Sequence, residues 1–265
     1  MAAVFLVQSD IVWEDKPANH AAVRRLLDIA DPAPAAGDLI VLPEMFDTGF
    51  SFRLDVTARD PERTTGFLSE LARSSGCWVL GGASHRDGPG GRGRNRAHVF
   101  GPGGEPAASY DKIHPFSFGR EAEFFDGGTE PATFEWRPGD GAGADSAVVG
   151  LATCYDLRFP ELFRRLVEMG AEGFAVIANW PAARAGHWRT LLRARAIENQ
   201  AFVIGVNRTG ADPHLAYSGD SAAIDAMGET IVDAGSSAGV VRAELDFSVG
   251  RAWRERFPAV RDQRL

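Results

Sequence analysis

The sequence predicts an α/β fold, with sheets covered by helices, and three observations predict it. Short apolar runs rich in Val, Ile and Leu alternate with amphipathic helical patterns from residue 3 to residue 206, as expected of strands packed beneath helices. A chain of 265 residues, 45% of them hydrophobic, suffices for one large core or two small ones. No linker rich in Pro, Gly or Ser parts the alternation, so the expectation is one domain over residues 1–265.

The elements follow in order. Residues 3–8, apolar up to Val7, have the pattern of a buried strand. Pro17 suits the first turn of a helix, and Val23, Leu26, Leu27 and Ala30 recur at helical spacing. Residues 38–42 give the next strand, and Phe67, Leu68 and Leu71 mark a weaker helix. Strands are predicted at 77–82, 97–100 and 147–153, with an extended run at 107–111. Phe159, Leu162, Phe163 and Leu166 make a clean amphipathic helix. Residues 174–178 read as a strand, 188–199 as a helix and 201–206 as a strand. From 221 to 245 the pattern is a hairpin pair turned at Met227-Gly228-Glu229. Gly/Arg/Pro patches at 87–94 and 137–144 have the length of loop insertions.

Composition narrows the function. A formal charge of -8 argues against nucleic-acid binding. No apolar run approaches the roughly 20 residues that span a bilayer, so no membrane partner is expected. The N-terminus lacks the basic segment of a signal peptide, and the two cysteines, Cys77 and Cys154, cannot build a disulfide framework. Both features fit a reducing, cytoplasmic setting. No Cys/His spacing resembles a metal site.

Of the 28 basic residues only Lys16 and Lys112 are lysines. Lysine presents a compact ammonium where arginine presents a planar fork. Lys16, in Glu14-Asp15-Lys16-Pro17, reads as part of a solvated loop. Lys112 closes the extended run at 107–111, in Tyr110-Asp111-Lys112-Ile113-His114. Other strand ends also carry chemistry, and in α/β proteins ligands gather beyond the carboxyl ends of strands. Strand 38–42 delivers Pro43-Glu44, strand 147–153 delivers Cys154-Tyr155-Asp156, and strand 174–178 delivers Asn179-Trp180. Cys77 lies inside an apolar run and reads as core. Cys154 stands before a turn into a helix, where a thiolate is favoured. A thiol nucleophile needs a base: Glu44 serves if burial raises its pKa, and His114 or His187 would give a rival Cys-His dyad.

The segments Pro43-Glu44-Met45-Phe46, Tyr110-Asp111-Lys112-Ile113-His114 and Cys154-Tyr155-Asp156-Leu157-Arg158-Phe159-Pro160-Glu161 resemble, in order, the three motifs of the nitrilase superfamily of carbon–nitrogen hydrolases. Ala178-Asn179-Trp180-Pro181, residues 193–200 and Gly219-Asp220-Ser221 extend the similarity over nearly the whole chain. Within the superfamily the chain most resembles the omega-amidase branch. The resemblance implies an α-β-β-α sandwich that pairs into a four-layer homodimer. It implies a Glu-Lys-Cys triad at Glu44, Lys112 and Cys154, supported by a second glutamate, Glu121 or alternatively Glu123. It also implies no cofactor and a small amide substrate such as 2-oxoglutaramate or 2-oxosuccinamate. Pro115 and Thr153 depart from the usual pattern, and Tyr155 stands where nitrile-hydrolysing members usually carry tryptophan, which favours amides. On this reading Tyr155 supplies an oxyanion donor, while Asn179 and Trp180 shape the pocket. Arg158 holds a substrate carboxylate or else forms an ion pair with Asp156 or Glu161. Arg195 and Glu198 are expected to be structural, with Arg195 on the apolar helix face in a buried ion pair with a carboxylate, and Asp220 to hold a loop. Rival readings are an N-carbamoyl amino acid hydrolase, another aliphatic amide hydrolase, and a non-catalytic binding member of the fold.

Overall fold

The computed structural model describes residues 2–88, 90–139 and 146–264. Its core is a pair of stacked six-stranded sheets. The strands are β1 (Ala2–Gln8), β2 (Leu39–Val41), β3 (Trp78–Arg86), β4 (Gly93–Phe100), β5 (Pro106–Asp111), β6 (Thr133–Trp136), β7 (Ala147–Thr153), β8 (Gly173–Ala178), β9 (Phe202–Asn207), β10 (Thr209–Ala211), β11 (Ala216–Ser218), β12 (Ala222–Ile224), β13 (Thr230–Asp233) and β14 (Gly239–Leu245). The helices are α1 (Lys16–Asp28), α2 (Leu54–Thr57), α3 (Pro61–Ser75), α4 (Glu121–Phe124), α5 (Pro160–Glu168), α6 (Ala185–Asn199) and α7 (Phe247–Arg256). One sheet runs β14-β1-β2-β3-β4-β5 and the other β13-β12-β9-β8-β7-β6; β10 and β11 form a separate hairpin.

Period-two alternation builds the layers, because successive side chains of a strand point to opposite faces. On β1, Val4 and Leu6 join the core between the sheets, with Leu39, Val41, Leu151, Ile177 and Ile204. Ala3, Phe5 and Val7 point outward, where Val23 and Leu27 of α1 and Phe67, Leu68 and Leu71 of α3 cover them. Leu162, Phe163 and Leu166 of α5 and Trp188 and Leu192 of α6 belong to the large core cluster that includes the second sheet. The result is the expected α-β-β-α sandwich, in which both faces of each sheet are buried.

Several details differ from the sequence reading. Helix α6 starts at Ala185, three residues early, and β4 reaches back to Gly93, into the patch read as a loop. Pro89 of that patch, and 140–144 of the other, lie outside the described residues. The turn at Met227-Gly228-Glu229 joins β12 to β13 as expected. β14, however, is not the partner in a second hairpin: it crosses to the first sheet and pairs antiparallel with β1 from Ala2↔Leu245 to Gln8↔Gly239. The hydrophobic pattern of β14 is compatible with either sheet, so only the packing decides. Lys16 is the clearest correction. It is not in a solvated loop but opens α1, buried, with Nζ donating to the Arg59 carbonyl and to Thr64 Oγ1, both at 3.0 Å, and 3.8 Å from Asp47 Oδ2.

Candidate active site

Four strands end at one place. Glu44 follows β2 after Leu42-Pro43, Lys112 follows β5, Cys154 follows β7 and Asn179 follows β8. Glu44 and the next residues can lie against β3 because Gly82 has no side chain. A Cβ there would sit 2.8 Å from Ile177 Cδ1, 2.9 Å from Glu44 Cα and 3.0 Å from the Met45 nitrogen. Cys154 adopts φ of 50°, a left-handed conformation unusual for a non-glycine residue and common at strained functional turns. Asp156 fixes that turn, its carboxylate accepting from the Thr153 N–H at 2.9 Å.

The side chains that meet are Glu44, Lys112, Glu121 and Cys154. Exposure falls to 0%, 1% and 0% for the first three, whereas Cys154 keeps 9%, so the sulfur is the member that faces the pocket. Lys112 Nζ donates to Glu44 Oε1 at 3.0 Å and to Glu121 Oε2 at 2.8 Å. Asn95 Nδ2 bridges the same carboxylates, at 2.7 Å to Glu44 Oε1 and 2.8 Å to Glu121 Oε1. The Asn179 backbone N–H donates to Glu44 Oε2 at 2.7 Å, and the Phe116 N–H to Glu121 Oε2 at 2.6 Å. Buried carboxylates are tolerable only with such partners. Of the two glutamates considered beside the lysine, Glu121 is thus the one at Lys112, while Glu123 is exposed and paired with Arg120.

The electrostatics follow from this packing. Burial pulls the Lys112 ammonium down, but Glu121 and Glu44 together outweigh it and hold the pKa well above the ordinary lysine value. Burial raises the Glu121 carboxyl, opposed by Lys112 and reinforced by Glu44. Burial and then the Glu44 charge push the Cys154 thiol well up, with Lys112 pulling the other way and a hydrogen bond to Glu44 adding to the rise. These causes favour the thiol form of Cys154, not the thiolate that its position before a helical turn suggests. Cys77 is buried core, as expected, with its thiol pushed up to about 11 by burial.

The rival histidines are engaged elsewhere. His114 Nδ1 lies 2.8 Å from Asp156 Oδ1, its ring stacked 3.8 Å from that of Phe159, and His187 Nδ1 lies 3.1 Å from Arg158. Asp156 was read only as a possible partner for Arg158, yet it joins the two motifs. It accepts from Tyr110 Oη at 2.7 Å, from the Thr153 N–H at 2.9 Å and from the His114 N–H at 3.0 Å. Arg158 meets neither Asp156 nor Glu161; its guanidinium lies 4.9 Å from the Trp180 ring centroid and 5.9 Å from that of Tyr155. The carboxylate that Arg195 meets is that of Glu198, at 2.8 Å, and Arg195 also donates to the Leu157 carbonyl. Asp220 takes hydrogen bonds from Ser218 and Arg189.

Above Cys154 lies a pocket whose volume is about 40 Å³. Its walls include the expected Tyr155, Arg158, Asn179 and Trp180, with Phe50 and Phe116, and also Arg184, Leu215 and Tyr217, which the sequence reading missed. Asn95 was missed as well. Its signal was present: alternation along β4 puts this amide on the same inward face as Ala97, where a polar side chain needs a partner. Leu215 and Tyr217 gave no such signal, since they arrive on the β10–β11 hairpin from distant sequence.

The comparisons agree with this geometry. The family model for carbon-nitrogen hydrolases matches residues 3–255. The chain is 37% identical to the 2-oxoglutaramate amidase of Paenarthrobacter nicotinovorans, over 91% of this chain and 83% of that protein. It is 35% identical to omega-amidase YafV of Escherichia coli K12, over 98% and 95%. Among solved structures it is similar to a CN-hydrolase superfamily protein from Xanthomonas campestris that carries an arsenic adduct in its active site. There the TM-score is 0.88 and the identity 35%, covering 100% of this chain and 97% of that one. With the motifs in order, the sandwich formed and the match running almost end to end, the chain belongs to the carbon-nitrogen hydrolase family.

Proposed function

We propose that the protein is a cysteine-dependent omega-amidase that hydrolyses a small carboxylate-bearing amide, of the 2-oxoglutaramate or 2-oxosuccinamate type, to acid and ammonia. The observation that carries this reading is the buried Glu44–Lys112–Glu121 cluster around the one pocket-facing thiol, Cys154. The names of the relatives, 2-oxoglutaramate amidase and omega-amidase, support the substrate class.

Glu44 accepts the thiol proton as Cys154 Sγ attacks the amide carbon, which suits a thiol that burial keeps protonated at rest. The oxyanion that develops is stabilised by the Lys112 ammonium and the Tyr155 N–H. Collapse of the tetrahedral adduct breaks the C–N bond; ammonia leaves with the proton from Glu44, and a thioester remains. Glu44 then takes a proton from water, the hydroxyl adds to the thioester, and the carboxylate product departs as Cys154 regains its proton. Glu121 and Asn95 hold Lys112 and Glu44 in register. Arg158 has no carboxylate partner among the described residues, and its fork is free to take the substrate's own carboxylate. Two sandwiches pair into a four-layer homodimer, for which Ile197 and Met227, apolar and about half exposed, offer contact surface. The setting is cytoplasmic, consistent with two free cysteines.

Ammonia release across oxo-acid amides, carbamoyl amino acids and nitriles, with mass spectrometry of the quenched enzyme, tests the reading. Wild type is expected to prefer the oxo-acid amides and to carry an acyl group on Cys154. Ammonia release retained by Cys154→Ala would sink the assignment.

A further inference from the structure

A second chamber, with a volume of about 520 Å³, adjoins the pocket above Cys154. The two share Phe50, Phe116, Leu215 and Tyr217 as common walls, and the outer one adds Trp13, Phe52 and His214. Their charges differ in kind. In the inner pocket Arg158 and Arg184 meet no carboxylate among the described residues; Arg184 rests against the Phe116 ring, 5.3 Å from its centroid. In the outer chamber each charged lining group already has its partner. Glu14 accepts from Arg53 at 2.9 Å and from Ser51 at 2.5 Å, and Arg120 holds Glu123 through two hydrogen bonds. Asp212 accepts from Tyr217 Oη at 2.6 Å and from two backbone N–H groups. What remains uncommitted there is aromatic surface, with the Trp13 and His214 rings packed edge to face at 5.8 Å.

An anionic acyl half therefore suits the inner pocket, and the outer chamber suits an apolar group beyond the scissile bond. We propose that the outer chamber receives the amine half of N-substituted amides, an aromatic or branched apolar substituent, so that the enzyme also cleaves secondary amides. The inference rests on the amidase reading of the inner site. The chemistry is unchanged and balances: Cys154 forms the thioester, the C–N bond breaks, the amine leaves with the proton from Glu44, and water releases the acid. Only the leaving group differs. Its ring is transferred from water onto Trp13 and Phe52 rather than left solvated.

The test compares 2-oxoglutaramate with its N-benzyl amide, reading ammonia and benzylamine separately. Wild type is expected to release both, with kcat/KM values within about tenfold of each other. Burial of an aromatic group contributes about 1.5–3 kcal/mol, or roughly 10- to 150-fold. Trp13→Ala should lower benzylamine release by about that factor and leave ammonia release from 2-oxoglutaramate within about twofold. Trp13→Phe, which keeps a ring in a folded protein, should retain most of the benzylamine activity. Ammonia release without benzylamine release by wild type overturns the inference but not the amidase. Equal losses on both substrates in Trp13→Ala and Trp13→Phe also overturn it. Wild type inert on both amides overturns the amidase reading, and the inference with it.

Discussion

Lys112 and Asn95 make the sharpest claims at the scale of single residues. Lys112 Nζ sits between two carboxylates at 3.0 and 2.8 Å with essentially no exposure, a space that fits a point charge and not a planar fork. Lys112→Arg is therefore expected to be nearly as damaging as Lys112→Ala, each lowering kcat by about 100- to 1000-fold, the usual cost of losing an oxyanion donor. Near-normal turnover in Lys112→Arg would remove Lys112 from the mechanism. Asn95 is neutral and donates to both glutamates through one nitrogen. Asn95→Asp exchanges that donor for a third buried carboxylate facing one ammonium, so both kcat and the denaturation midpoint should fall. Asn95→Asp with wild-type stability in urea would show that the amide bridge is dispensable. The motif residues were legible because their chemistry stands out at strand ends. Asn95 was not, since an asparagine in a strand is meaningful only once its opposite number is known.

At the scale of elements, β3 makes room for the site through its backbone, and β4 carries a histidine on the face opposite Asn95. Gly82 on β3 admits the Glu44 loop, and an added Cβ would meet two backbone atoms that cannot give way as a flexible side chain could. Gly82→Ala should destabilise the protein by about 1–3 kcal/mol through overpacking, and should lower kcat more than it raises KM because Glu44 is displaced. Urea unfolding and steady-state kinetics on the same variant check both parts. On β4, burial and then Arg96 lower the His98 pKa from 6.5 to about 4. Its folded pKa lies below its unfolded one, so the unfolded chain binds the extra proton first. The contribution is thus intact above pH 6.5 and is lost as pH falls toward 4. Relative to His98→Gln, wild type should lose stability across that window, by about 1–3 kcal/mol. Parallel pH dependences for the two proteins would refute this. Neither feature was visible from period-two patterning, which finds strands but not what approaches their backbone.

Across the whole molecule, the two lysines do related work in different layers. Lys16 ties α1 to Arg59 and to Thr64 of α3, and stands 3.8 Å from Asp47, three residues after Glu44. Asp47 is fully buried, so Lys16→Met leaves its carboxylate without its ammonium neighbour; losses of this type run to about 3–5 kcal/mol. Calorimetry should show a marked drop in Tm, and an unchanged Tm would mean that the Thr64 hydrogen bond alone satisfies Asp47. For the assembly, sedimentation should give a dimer mass for wild type and a monomer mass for Ile197→Asp. A monomeric wild type would refute the four-layer pairing.

The sequence alone determined the layered α/β architecture, because side-chain alternation and helical spacing are local and need no knowledge of the partner strand. It also singled out Glu44, Lys112 and Cys154, since reactive side chains at strand exits keep that place whatever the packing of those strands. Tertiary structure decided what depends on which distant segments meet. It sent β14 back to β1, chose Glu121 over Glu123 for contact with Lys112, buried Lys16 and brought Arg184, Leu215 and Tyr217 to the pocket. Each of those outcomes turns on burial and on pairing across long sequence separations. A polar residue reads alike in a loop and in a core until its partners are in place.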